Sequence, residues 1–291
     1  MTIDLDLLLK AYASGIFPMS DARDDPDTFW VEPKMRAIIP LDNFQMSRSL
    51  RKTIRSDRFR VTTDTAFARV IAICAQEDGE RQETWINGTI EQAFNRLHEL
   101  GHAHSVECWQ KDEESGEEIL VGGLYGLAIG GAFCGESMFS RARDASKVAL
   151  AWLVARLKVG GFGLLDCQFM TDHLASLGAV EISQETYLEA LEKVRDYSPS
   201  SSSPIRSPIK SAGGLLGAGA GAGRATGAAG VGAAAGAAGT GAGSGTVSFG
   251  ALDALLARLD EDVRGAVGSA ESSGGLSSPG KLIAQLLTQT S

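Results

Sequence analysis

The chain has 291 residues, of which 44% are hydrophobic and 22% are charged, and both fractions are ordinary for a soluble globular protein. Glycine is unevenly spread, because residues 198–291 hold 20 of the 35 glycines but only 11 of the 63 charged residues. The remaining body has 21 basic and 31 acidic residues. This acidic balance excludes a protein that coats nucleic acid non-specifically, but it allows one local basic patch.

The sequence predicts a cytoplasmic protein. Acidic residues stand among the first six positions, where a signal peptide would carry positive charge. The longest apolar run, Val121 to Gly135, has 15 residues with six glycines, which is too short to span a bilayer. The four cysteines are far apart and form no C-x-x-C motif, so we expect neither a disulfide framework nor a thiolate zinc site.

In chain order, apolar residues first recur at helical spacing, with one short strand-like segment among them. This predicts helices over 5–14, 47–56, 65–76 and 90–100 and a strand over 59–63. Prolines 26, 33 and 40 predict an irregular segment after the first helix. The period then changes to two, which predicts a hairpin of strands 104–110 and 119–123 extended by 124–134. A helix over 146–159, a strand over 163–169, and helices over 173–177 and 185–196 follow.

These elements predict an α+β fold with a mixed sheet. We expect a small N-terminal α/β domain over residues 1–94, a mixed-sheet domain over 95–196 and a linker with a tail over 197–291. Residues 212–250 include 28 glycines and alanines, so we expect most of the tail to be disordered and dispensable for chemistry. One apolar stripe, from Leu252 to Val263, has the spacing of a docking helix.

His98, Glu99 and His102 match the H-E-x-x-H motif of zinc metallopeptidases. That chemistry needs both histidines one turn apart on a continuous helix. Gly101 is expected to end the helix between them. The alternative is that the histidines are structural residues at a turn.

Residues 48–60 form a basic segment. Arg48, Arg51, Lys52 and Arg55 follow the i, i+3, i+4, i+7 pattern, so they share one helix face. Such a face could contact phosphates, or it could be a solvated face paired with acidic residues elsewhere.

Two further segments place polar groups in apolar strands. Glu136 follows a glycine-rich strand and is flanked by Phe133, Met138 and Phe139, which would suit recognition of a cation or a plain surface position. Asp166 and Gln168 are at i and i+2 of an apolar strand and are expected to share one face. Buried polar groups of this kind form either a structural network or a site.

These pieces together resemble the leucyl/phenylalanyl-tRNA–protein transferase family. The resemblance runs from about residue 5 to 192, and the tail lies outside it. The segments that carry it are AYASGIFPM (11–19), FWVEPKMRAIIP (29–40), SRSLRKTIR (47–55), TWI (84–86), LHELGHAHSVECW (97–109), VGGLYGLAIGGAFCGESMFSR (121–141), ASKVAL (145–150), LLDCQF (164–169) and DHLASLGAVEI (172–182).

The resemblance implies transfer of leucine or phenylalanine, with methionine a further candidate, from aminoacyl-tRNA to the α-amino group of proteins that begin with Arg or Lys. This reaction marks proteins for degradation by the N-end rule. The resemblance also implies no metal, no coenzyme and no membrane partner, and we expect a monomer. The implied catalytic domain is similar to acetyl-CoA-dependent N-acetyltransferases. The alternatives are the zinc peptidase above and a non-catalytic tRNA-binding adaptor.

The resemblance also implies site roles. Asp166 and Gln168 would be catalytic, with Gln168 holding the attacking amine and Asp166 orienting it, and Glu136 would bind the acceptor's cationic side chain. Arg48, Lys52 and Arg55 would contact tRNA phosphates. The adenosine site would comprise Tyr12, Met19, Trp85 and Phe94, where Met19 replaces a family tryptophan and Phe94 a family tyrosine. The aminoacyl side-chain pocket would comprise Leu124, Phe133, Leu150, Leu153, Leu157 and Leu165.

Overall fold

The structure is a computed structural model that describes residues 2–76, 84–195, 247–267 and 278–288. The predictions for the glycine/alanine-rich stretch up to residue 246 lie outside the described residues. The helices are α1 (Leu5–Ala13), α2 (Arg48–Arg55), α3 (Phe67–Cys74), α4 (Gly88–Glu99), α5 (Ala145–Val159), α6 (Asp172–Ala175), α7 (Gln184–Arg195), α8 (Ala251–Val267) and α9 (Pro279–Leu286). None of these helices is long and apolar enough to cross a membrane.

The strands confirm the mixed α+β fold. They are β1 (Phe17–Met19), β2 (Phe29–Val31), β3 (Met35–Ile39), β4 (Arg60–Thr63), β5 (Ala103–Lys111), β6 (Glu118–Ile129), β7 (Ala132–Ser140), β8 (Leu164–Gln168) and β9 (Val180–Ser183). Strands β1 and β2 pair with each other, and the other seven form one sheet in the order β4-β5-β6-β7-β8-β3-β9. All neighbours in that sheet are antiparallel except β7 and β8, which are parallel.

Strand β3 occupies an interior position of the sheet although its segment was expected to be irregular. It lies between Pro33 and Pro40, pairing with β8 on one side and β9 on the other. Strands β3 and β4 both precede residue 94, so the large sheet takes strands from both sides of the domain boundary that we expected there.

Helices cover both faces of the sheet. Neighbouring residues Leu124 and Tyr125 on β6 belong to two different core clusters, as expected for side chains that alternate across a strand. Helix α5 packs on the first face, and α1, α3 and α4 contribute to the cluster on the second. Gly122 lets α5 approach closely, because a Cβ atom there would lie 2.5 Å from the Cβ of Ala145.

Two segments of the tail pack against the body. Phe249 lies parallel to the ring of Phe133, with centroids 5.4 Å apart, and Leu252 is fully buried beside α5. The docking helix predicted at 252–263 is therefore confirmed as part of α8. The expectation of disorder is wrong for residues 278–288, since Ile283 of α9 and Leu287 directly after it are buried in the same core cluster.

Candidate active site

A cavity of ≈ 620 Å³ opens where β7 and β8 separate. The two strands pair at only three positions, the last joining Cys134 to Asp166, and beyond this point they diverge. Glu136 on β7 and Gln168 on β8 both line the cavity. The parallel pair thus places two polar side chains at one opening in an otherwise apolar sheet.

One wall of the cavity is apolar and largely matches the predicted side-chain pocket. Leu124, Leu150, Leu153 and Leu165 line the cavity. Phe133 and Leu157 do not line it and are fully buried in the core. Phe133 instead packs against Phe249 of the tail.

Asp166 is enclosed by protein groups and does not line the cavity. Its carboxylate accepts two hydrogen bonds from the Arg36 guanidinium, at 2.9 Å from Nε and 2.6 Å from Nη2. The hydroxyl of Tyr187 and the backbone N–H of Gln168 also donate to it. Both members of the ion pair are buried, with exposures of 2% and 0%. Such a pair is favourable only when every charge has hydrogen-bond partners, and here the carboxylate has four.

Arg36 is held from several directions. Its Nη1 donates to the backbone oxygen of Gly15 at 3.0 Å. Its guanidinium carbon lies 4.7 Å from the ring centroid of Phe17 and 4.5 Å from that of Tyr187. The guanidinium is therefore fixed between two aromatic faces, which fixes the carboxylate that it binds.

Gln168 ends β8 in a strained backbone conformation. Its φ is +63°, in the left-handed region that a non-glycine residue adopts at a cost. Its N–H donates to the Asp166 carboxylate at 2.8 Å, which stabilises this conformation. Strand alternation predicted that Asp166 and Gln168 would face the same way, but Cys167 and Gln168 line the cavity and Asp166 does not. The left-handed backbone at Gln168 explains this difference, because it breaks the alternation at the end of β8.

Glu136 is the ionisable group at the centre of the site. It is 8% exposed, and its Oε2 accepts a hydrogen bond from Nε2 of Gln168 at 3.0 Å. Burial raises the pKa of Glu136 to about 8. Its Oε1 is buried and has no hydrogen-bond partner among the described residues. Glu136 also lines the cavity, so its carboxyl group lies at the wall that a ligand would contact.

The predicted adenosine residues occupy three different environments. Trp85 is half-buried, lines the cavity, and accepts a backbone hydrogen bond from Ser20. Met19 ends β1 and is partly buried against the same core cluster as Trp85, but it does not line the cavity. Tyr12 and Phe94 are buried and meet edge to face at 6.3 Å.

Tyr12 belongs instead with Glu136. Burial, and then the nearby Glu136 carboxyl, raise the pKa of the Tyr12 hydroxyl. Interaction with the Tyr12 hydroxyl in turn lowers the pKa of Glu136, against the larger effect of burial.

The H-E-x-x-H segment is arranged unlike a zinc helix. Helix α4 ends at Glu99, and Gly101 has a φ of +79°, so His102 lies beyond the helix. The ring of His98 stacks on Phe67 at 4.2 Å, and its Nδ1 lies 2.8 Å from the backbone oxygen of Ala103. Within the described ranges, no three His, Cys, Asp or Glu residues are grouped to hold a metal ion.

The basic face predicted on α2 lines a second, shallower cleft. Arg48, Lys52 and Arg55 are joined there by Arg51, Ser56 and Lys281 of α9. This cleft is separate from the cavity at β7 and β8, since the two share no lining residue.

Sequence reasoning missed Arg36, Tyr187 and Lys281. Arg36 did leave a signal, because a charged residue within the apolar run MRAII must be paired if the run is buried. Nothing near Tyr187 marks it as a partner of a carboxylate 21 positions earlier.

Family models and individual relatives that match this sequence belong to one protein family. A model of the "Leucyl/phenylalanyl-tRNA protein transferase" family matches residues 38–192, and a model of that family's N-terminal domain matches residues 1–34. A protein of Rhizorhabdus wittichii named leucyl/phenylalanyl-tRNA–protein transferase is 62% identical over 190 residues, covering 65% of this chain and 74% of the relative.

A protein of the same name from Novosphingobium aromaticivorans is 50% identical over 287 residues, covering 98% of this chain and 96% of the relative. The match to this relative therefore extends over the tail, which lies outside the segments that carry the resemblance. Among solved structures, FemX matches with a TM-score of 0.42 and 13% identity, over 61% of this chain and 66% of that one.

Proposed function

The chain belongs to the leucyl/phenylalanyl-tRNA–protein transferase family and is an aminoacyltransferase, and from this premise we propose how its residues act. The donor is leucyl- or phenylalanyl-tRNA, with methionine a further candidate, and the acceptor is the α-amino group of a protein that begins with Arg or Lys. The product enters the N-end rule pathway. The enzyme works as a monomer without metal or coenzyme.

The observation that carries this proposal is the contact between Gln168 and Glu136 inside a cavity with an apolar wall. The reaction needs an apolar pocket for the transferred side chain, a group that holds the attacking amine and a counter-charge for the acceptor's cation. All three surround this contact.

Gln168 holds the attacking amine. Its side-chain N–H is directed to Glu136, so its carbonyl oxygen is left to accept a hydrogen bond from the amine. The amine nitrogen attacks the ester carbonyl, the bond to the ribose oxygen breaks, and the amine proton leaves with that oxygen. The ester supplies the driving force, so orientation is the main task of the protein.

Asp166 is a positioning residue in this scheme. Its carboxylate oxygens already accept hydrogen bonds from Arg36, Tyr187 and the N–H of Gln168. Asp166 therefore acts by holding Gln168 in its left-handed conformation. It does not touch the amine itself.

Glu136 binds the cationic side chain of the acceptor. A carboxyl with a pKa of about 8 is mostly neutral at pH 7 before the acceptor binds. A guanidinium or ammonium group beside it favours the carboxylate, so acceptor binding releases a proton.

The leucines of the cavity wall receive the transferred side chain, and Phe133 and Leu157 support them from the core. An apolar pocket separates substrates by only about 1–3 kcal/mol per methylene, so more than one amino acid is accepted. Trp85 stacks on the terminal adenosine of the tRNA, and Met19 lies beside the adenosine. Arg48, Lys52 and Arg55 contact phosphates of the tRNA.

The test is transfer of leucine from Leu-tRNA to peptides that begin with Arg or Ala, measured by mass spectrometry. We expect Gln168→Ala to lower kcat by about 100-fold or more. Gln110→Ala, the same change on β5 away from the cavity, should leave kcat unchanged.

Glu136→Gln keeps the side-chain shape and removes the charge, so it should chiefly reduce the preference for the Arg peptide over the Ala peptide. If Glu136→Gln keeps that preference and Gln168→Ala abolishes it, the two roles are reversed. If no peptide accepts leucine from the unaltered enzyme, the proposed reaction is wrong.

A further inference from the structure

A cleft of ≈ 400 Å³ between α2 and α9 is lined almost entirely by cations. Four of them come from α2, and the fifth, Lys281, comes from α9 at the other end of the chain. None of the five forms an ion pair with a residue in the described ranges. In a chain whose net charge is −9, an uncompensated cluster of this size attracts anions electrostatically.

Helix α9 is held in this position despite the repulsion between like charges. The backbone N–H of Gly280 donates to Oδ1 of Asp57 at 2.7 Å, which engages the acid next to the cluster. A Cβ atom on Gly280 would lie 1.9 Å from the backbone oxygen of Ile54, so the two helices touch through their backbones. Ile283 of α9 and Leu287 directly after the helix are buried in the core. Packing therefore fixes Lys281, which is exposed, beside the α2 cations.

The dimensions of the cleft fit an extended polyanion better than a single anion. Helix α2 has eight residues, which span about 12 Å at 1.5 Å per residue. One strand of a DNA duplex presents a phosphate about every 3.4 Å along the axis, and an A-form RNA stem spaces its phosphates more closely along the axis, so several phosphates can face this helix. One free phosphate would engage only part of the cluster.

We propose that α9 completes a binding site for the phosphate backbone of an RNA stem and that Lys281 contributes one phosphate contact. The site lies partly outside residues 38–192, the range that the family model matches. This inference rests on the proposed function, because it takes the bound RNA to be the aminoacyl-tRNA donor. It adds a role for the tail, because the tail's last described helix becomes part of the donor-binding surface.

The site also links RNA binding to docking of α9. A bound polyanion neutralises the repulsion between Lys281 and the α2 cations, so it should strengthen the docking of α9. By reciprocity, undocking α9 should weaken RNA binding by the same factor.

The test is a titration of the full chain with a short RNA hairpin that carries no amino acid, at several salt concentrations. For Lys281→Ala we expect a Kd about 3- to 10-fold higher and a salt dependence of log Kd reduced by about one counterion. The matched control is Lys111→Ala, which removes one lysine at the end of β5 and should change neither value. Equal behaviour of the two variants would overturn the proposal.

A second variant tests the docking itself. Gly280→Ala should displace α9, weaken hairpin binding at least as much as Lys281→Ala, and abolish the rise in Tm that the hairpin gives the unaltered chain. If Gly280→Ala lowers Tm but binds the hairpin normally, α9 serves stability alone and the proposal is wrong.

The hairpin titration and one further measurement, binding to lipid vesicles, distinguish the possible failures. The hairpin titration needs no transfer, so it succeeds or fails independently of the proposed reaction. Vesicles of phosphatidylserine and phosphatidylcholine provide the other anionic surface. If the unaltered chain binds these vesicles through Lys281 and ignores the hairpin, the partner is a membrane and the RNA proposal is overturned.

Discussion

Two buried arginines are each bound by both oxygens of an aspartate, in two different regions of the molecule. Arg36 pairs with Asp166 inside the sheet, and both side chains are closed to solvent. Arg156 of α5 pairs with Asp253 of the tail, at 2.6 Å and 2.7 Å, but 58% of the aspartate side chain is exposed. Arg156 also donates to the backbone oxygen of Phe249.

The difference shows what each pair does. The pair within the sheet has no access to water, and its carboxylate also holds the backbone of Gln168, so its geometry is part of the cavity. The second pair joins the tail to the body and keeps one side open to water. Losing a partner should therefore cost more in the sheet than at the tail.

Asp166→Ala is expected to have the largest effect. It leaves the guanidinium of Arg36 buried without a counter-charge, which typically costs about 3–5 kcal/mol. Urea unfolding should show this loss, and transfer activity should fall with it.

A double variant, Arg36→Met with Asp166→Leu, separates the two consequences. Replacing both charges with apolar groups should restore most of the stability, yet Gln168 would still lack the acceptor for its N–H and activity should stay low. Recovery of both stability and activity would show that Asp166 has no part in positioning Gln168.

Asp253→Ala should cost less, about 1–3 kcal/mol, because water reaches the site and Arg156 keeps two other acceptors. The matched control is Glu118→Ala, which breaks the exposed pair with Arg60 and should cost under about 1 kcal/mol. If both substitutions have the same small effect in urea unfolding, the tail is only loosely attached.

Glu136 differs from both aspartates, because it is a buried acid whose hydrogen-bond donor, Gln168, carries no charge. Its pKa is about 8 in the folded chain and lower in the unfolded chain, so the folded chain binds the extra proton between these values. Stability therefore falls as pH rises from about 4.5 to about 8, by up to about 1.4 kcal/mol per pH unit.

Glu136→Gln should remove that part of the pH dependence, so the variant gains stability over the unaltered chain as pH increases. Urea unfolding at pH 5, 6, 7 and 8 measures this gain. A difference between the two chains that stays constant across this range would contradict the raised pKa.

The smallest effect concerns the backbone at Gln168. Glycine adopts a positive φ freely, so Gln168→Gly should be about 1 kcal/mol more stable than Gln168→Ala. Both variants should be equally inactive, because both lack the amide. Equal stability of the two in urea would show that the kink relaxes when the side chain is removed.

The sequence predicted the parts of the fold that depend on local pattern. The periods of 3.6 and 2 identified α1 to α5 and the β5–β6 hairpin, since these elements have regular apolar faces. Strand β3 was missed because it has only five residues between two prolines and is stabilised by distant strands. Helix α9 was missed because its Ser-Pro-Gly start lies at the end of a low-complexity tail, although its apolar positions follow helical spacing.

The candidate site, like the fold, has features that the sequence indicates and features that only the folded structure shows. Candidate residues could be proposed from the sequence, because a glutamate and an Asp/Gln pair in apolar strands indicate either a site or a structural network. Their arrangement could not, since it depends on a pairing between Arg36 and Asp166, 130 positions apart, and on the left-handed backbone of Gln168. Both are properties of the packed sheet.

The parting of β7 and β8 has one more consequence. Strand edges usually lie at the rim of a sheet, where they risk pairing with other chains. Here two facing edges are recessed inside the molecule, and beyond Cys134 the structure describes no pairing between them. On β8 the N–H of Gln168 donates to Asp166 and the carbonyl oxygen of Cys167 accepts from Phe169, so main-chain recognition of a bound amide or ester would fall to β7. Some recognition should therefore survive any single side-chain replacement in the cavity, because part of the binding surface is the polypeptide backbone itself.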